Sequence, residues 1–74
     1  MNLQRTIEVA RAAARMGGPG PLSTGEALTA ALVLNRTDWL AKMDYTIAEA
    51  LDRIDSDTVQ HLRDAERALR GEAS

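Results

Sequence analysis

The stretch Ser23-Thr24-Gly25-Glu26-Ala27-Leu28-Thr29-Ala30-Ala31-Leu32-Val33-Leu34 (STGEALTAALVL) decides how the rest of this chain is read. Its opening residues are punctuation. Ser23 is placed to accept from the backbone N–H of Glu26, and the Glu26 carboxylate is placed to return to the N–H of Ser23. That reciprocal pair is a capping box, and it starts a helix. Ala27 to Leu34 is then apolar almost all round. Leu28, Ala31 and Leu32 share one face, Ala30 and Leu34 another, and Val33 a third. A helix apolar on every side is buried on every side. In a chain of 74 residues two arrangements satisfy it: the helix is a hub for the others, or part of it meets another subunit. The expectation is a homodimer, with Ala27, Ala30, Ala31, Val33 and Leu34 as candidate interface residues.

Upstream, Leu3, Ile7, Ala10 and Ala14 form one apolar stripe, and Thr6, Val9, Ala13 and Met16 form the stripe beside it. This periodicity predicts a helix over 3–16, with Asn2 as its N-cap and Gly17 in the left-handed position past its end. Gly17 to Leu22 (GGPGPL) cannot continue a helix and reads as a linker over 17–22. A glycine-rich loop before a helix invites a phosphate-cradle reading, but no strand precedes it and no Gly-Lys-Ser/Thr follows, which favours a connector.

Downstream, Asn35 to Asp38 (NRTD) predicts a break, with Asn35 ending one helix and Thr37 capping the next. A continuous helix is the rival reading, since Leu28, Leu32, Trp39 and Met43 would then share a face. Asp44-Tyr45 reads as a tight turn. Thr46 and Glu49 repeat the capping box, and Ile47, Ala50, Leu51 and Ile54 make an apolar stripe. Asp55-Ser56-Asp57 supplies caps for a last helix that buries Val59, Leu62, Ala65 and Leu69 and ends at Gly71. The fold class is therefore all-α. One domain over 1–74 holds four to five short helices at about 3–16, 24–34, 38–43, 47–54 and 57–70, with a frayed tail at 71–74.

Composition narrows the function classes. Cysteine is absent, which excludes disulfides and thiolate metal sites. No apolar run is long enough to cross a bilayer or to resemble an export signal, so the expected compartment is the cytoplasm. The formal net charge of −2 argues against a general nucleic-acid binder. Arg5, Arg11 and Arg15 nonetheless give the first helix a candidate basic face, whereas Asp44, Glu49, Asp52, Asp55 and Asp57 crowd the later segment. The eight-to-one ratio of arginine to lysine fits a bacterial or phage source with a GC-rich genome.

Catalysis draws little from the residues present. His61 is the sole histidine. A triad would need it beside Ser23, Ser56 or Ser74, and none of these has a strand–turn–helix context. Asp55, Asp57 and Asp64 with His61 lack the glycine and terminal glutamate of a calcium loop. No cofactor or metal is expected. The order short helix, turn, helix at 38–54 raises a DNA-binding helix-turn-helix as the alternative function. Its second helix, however, would present Glu49 and Asp52 to the phosphates.

The same segment, Leu40 to Ile54 (LAKMDYTIAEALDRI), resembles the ubiquitin-associated three-helix domain in its helix-turn-helix geometry. Met43 and Tyr45 match the Met-Gly-Phe/Tyr turn of that domain, and Asp44 stands where it has glycine. The resemblance implies a contact surface that includes Met43 and Tyr45. Trp39 is expected in the core. The function expected from these observations is non-enzymatic: a small regulatory, inhibitory or adaptor factor that binds another protein.

Overall fold

The computed structural model describes residues 1–73, and five helices follow one another along it. They are α1 (Leu3–Met16), α2 (Thr24–Val33), α3 (Thr37–Lys42), α4 (Ile47–Arg53) and α5 (Ser56–Ala73). No strand occurs among the described residues. Four of the five helices start on a side-chain cap, which satisfies amides that the first turn leaves without partners. Asn2 accepts from the Arg5 amide at 2.8 Å, and Asp55 accepts from the Thr58 amide at 2.7 Å. Both capping boxes form. In the first, the Glu26 amide donates to Ser23 Oγ at 3.3 Å and the Ser23 amide to Glu26 Oε1 at 3.1 Å. In the second, the Glu49 amide donates to Thr46 Oγ1 at 3.0 Å and the Thr46 amide to Glu49 Oε1 at 2.9 Å.

Three helices end alike. Gly17 (φ 74°), Asn35 (φ 56°) and Asp44 (φ 64°) are left-handed, and each turns the chain back on the helix just completed. Behind Gly17, the amides of Gly17 and Gly18 donate to the carbonyls of Ala14 and Ala13. Asn35 and Arg36 donate in the same way to Leu32 and Ala31, and Asp44 and Tyr45 to Ala41 and Leu40. This paired closure is a Schellman motif, and it rules out the continuous helix through residues 35–38. It also shifts the start of α3. Arg36, not Thr37, holds its N-cap position and makes no side-chain cap. Its guanidinium instead pairs with Asp38 at 2.8 Å and lies 4.5 Å from the centre of the Trp39 ring.

The hub arrangement is the one adopted. α2 packs against each of the other four helices, with α1 and α5 also packed on each other. Leu28, Ala30 and Ala31 of α2 meet Val9, Ala13, Trp39, Leu40 and Ala50 in the main core, while Val33 joins Ala10 and Ala65 in a smaller one. Alanines from four helices let the backbones approach closely, so a core without phenylalanine still closes. The radius of gyration, 10.9 Å, is close to the roughly 11 Å of a compact globule of this length.

Three threonines sit inside this apolar interior: Thr6, Thr29 and Thr58. Thr29 donates to the carbonyl of Gly25 one turn back at 2.8 Å, and Thr6 donates to that of Asn2 at 3.0 Å. The Thr58 hydroxyl donates to Asp55 at 2.7 Å and accepts from the Met1 ammonium at 2.9 Å. No buried side-chain nitrogen or oxygen among the described residues lacks a partner, as the cost of desolvating an unpaired polar group requires.

Two expectations are corrected at the C-terminal side. α5 does not stop before Gly71 but runs through it to Ala73. Leu69 packs on the smaller core, and Glu72 reaches across to Arg11, so contacts with α1 and α2 hold the last turn. The frayed tail expected at 71–74 is therefore helical as far as residue 73, and Ser74 lies outside the described residues. Of the stripe Val59, Leu62, Ala65 and Leu69, only Ala65 is fully buried; Val59 is exposed.

Candidate functional site

The residues expected at an interface divide sharply. Ala27, Ala30, Ala31 and Val33 are buried within the single chain. The apolar surface that suggested a second subunit is covered by α1, α3, α4 and α5. Leu34 is half-buried and touches both cores from the end of α2. Met43 and Tyr45 are also half-buried, packed on the main core from the turn between α3 and α4.

Large apolar side chains are exposed singly at Leu3, Met16 and Val59, and as a neighbouring pair on α4. That helix sends only Ala50 into the core, where it is 0% exposed, while Ile47 is 52% and Leu51 37% exposed. The expected stripe of Ile47, Ala50, Leu51 and Ile54 is thus split. The capping box at Thr46 sets the rotation of α4, and Ala50 is small enough to seat the helix close against α2. Ile47 and Leu51, one turn apart, are left side by side on its outer flank. Tyr45 continues this surface toward α3 and lines a shallow hollow of about 240 Å³ with Ala41, Asp44, Thr46 and Glu49.

The acids around α4 differ from several others in making no ion pair. Four carboxylates elsewhere meet arginines: Glu26 with Arg5 at 2.8 Å, Glu72 with Arg11, Asp38 with Arg36, and Glu66 with Arg63 and Arg70. No ion pair among the described residues reaches Asp44, Glu49 or Asp52, and Glu49 is held only by its cap.

The expected basic face does not act as a unit. Arg5 is committed to α2 through Glu26, and Arg11 to α5 through Glu72. That pairing holds the Glu72 carboxyl below its ordinary range and raises the Arg11 guanidinium. Arg15 remains exposed at the end of α1, beside a depression lined by Ala14, Leu34 and Leu69.

His61 is half-buried and bridges α5 to α1. Its Nε2 lies 2.8 Å from the Thr6 hydroxyl. That hydroxyl has one proton and gives it to the Asn2 carbonyl. Thr6 is fully buried, and no hydrogen bond joins His61 to Ser23 or Ser56; Ser74 lies outside the described residues. Asp55 is occupied by the Met1 ammonium at 2.8 Å and by Thr58. No group of three or more histidines or acids among the described residues is placed to hold a metal ion. No helix there is long and apolar enough to cross a membrane. Sequence reasoning missed Ile47 and Leu51 because it assigned every apolar residue of α4 to the core; the shortness of the helix was the available signal. Comparison with known protein families, curated proteins and solved structures finds no match to this chain.

Proposed function

We propose that this chain is a cytoplasmic, non-enzymatic protein-binding module, a small regulatory, inhibitory or adaptor factor that receives its partner on α4 and the turn before it. One observation carries the reading: Ile47 and Leu51 stand exposed beside each other on a helix whose only fully buried residue is Ala50. Exposed neighbouring apolar side chains rimmed by polar groups are characteristic of protein contact sites. Met43 and Tyr45 flank them, as the resemblance to the ubiquitin-associated turn implies. A catalytic reading has no comparable support, because His61 is bonded to a buried hydroxyl. The helix-turn-helix DNA reading has none either, since the exposed side of α4 carries Glu49 and Asp52, which phosphates repel.

The test is affinity capture from extract of the organism that encodes the chain, with wild type and the Ile47→Ser, Leu51→Ser double variant as paired baits. Both positions are exposed, so the variant keeps the helical circular dichroism of the wild type. A protein retained by the wild type and lost from the variant is the expected result. Equal retention by both baits would remove α4 from the binding surface.

A further inference from the structure

The partner's chemistry can be read from the charge that surrounds Ile47 and Leu51, and this step rests on the α4 surface proposed above. Asp52 adjoins Leu51, and Asp44 and Glu49 line the hollow beneath Tyr45. Arg53 is the only cation within α4. These acids meet no arginine, whereas Glu26, Asp38, Glu66 and Glu72 each do. We infer that α4 and its preceding turn receive a basic amphipathic helix. The apolar side chains of that helix cover Ile47 and Leu51, and its Lys or Arg residues lie against Asp44, Glu49 and Asp52.

Three physical points favour this occupant. First, uncompensated surface acids beside an apolar contact steer a cationic partner and repel an anionic one. Second, Asp44, Tyr45 and Glu49 line one hollow together. A guanidinium or ammonium gains there from the two carboxylates. Third, the same charges disfavour a second copy in a symmetric contact. A two-fold pairing of α4 on α4 sets Asp44, Glu49 and Asp52 of one chain against the same acids of the other, and like charges across an interface are costly. A helix also matches the geometry. Ile47 and Leu51 are spaced one turn apart, as are the apolar positions of an amphipathic helix that would lie along them.

Two designed peptides test this, one with leucines at the i, i+3, i+4, i+7 spacing of a helix and lysine elsewhere, and one with the same leucines and glutamate in place of lysine. Each is titrated into the isotope-labelled full chain and followed by amide chemical shifts. The Leu/Lys peptide is expected to shift residues 44–53 and to bind roughly tenfold more weakly to the Ile47→Ser, Leu51→Ser variant, a change of about 1.4 kcal/mol. Asp52→Lys and added salt are each expected to weaken it as well. The Leu/Glu peptide is expected to leave the same amides unmoved. Equal binding of the two peptides through Ile47 and Leu51 would overturn the basic partner while leaving the α4 surface intact. Shifts that spare residues 44–53, or that persist undiminished in the double variant, would overturn both.

Discussion

Asp44 carries the clearest strain in the chain. It is left-handed at φ 64°, where an L-residue with a side chain is disfavoured, and its carboxylate sits at the negative end of α3. Glycine removes both penalties at the cost of a more flexible unfolded chain. Asp44→Gly is therefore expected to stabilise the fold by about 0.5–1 kcal/mol, and Asp44→Val to destabilise it, measured by urea unfolding. A loss of stability in the glycine variant would contradict the turn geometry. Asp55 makes a second residue-scale prediction. The Met1 ammonium, and then the Thr58 hydroxyl and amide, hold its carboxyl well below the usual range. A depressed folded value means its stabilisation is complete above the unfolded-state pKa of about 3.9. It is lost as pH falls toward the lower folded value. The thermal midpoint is expected to drop on acidification through this window, and to drop less steeply in Asp55→Asn. Identical slopes for the two proteins would show that the Asp55 contacts do not form.

The helices were legible where local chemistry sets them. Asn2, Ser23–Glu26, Thr46–Glu49 and Asp55 mark starts, and Gly17 and Asn35 mark ends, because each acts on backbone groups within a few residues. What escaped the sequence depends on distant partners. Gly71 has the usual character of a helix end, yet α5 passes through it because Leu69 and Glu72 are held by other elements. The two readings predict opposite signs. A helical Gly71 with open space around it makes Gly71→Ala stabilising, by up to about 1 kcal/mol. A left-handed terminal glycine would make the same change destabilising. The candidate site failed to be legible for a related reason. Periodicity grouped Ile47 and Leu51 with Ala50, but how much of a short helix is buried depends on how closely it seats on α2, and that distance is set by tertiary contacts. The acidic character of the same segment was legible, since it is a matter of composition.

At the scale of the whole molecule, the apolar run after Ser23 has a different meaning from the one its sequence invites. Its alanines and leucines pack against four neighbouring helices of the same chain, and the proposed partner surface lies on α4. A chain of this size has little stability to spare, so whether its hub is completed by itself or by a second copy governs everything else about it. Urea unfolding at protein concentrations spanning about a hundredfold separates the two, because a chain completed by its own copy gains about 2.7 kcal/mol over that range. The account predicts a midpoint that stays fixed across the series. A midpoint that climbs with concentration would place α2 between subunits and contradict it.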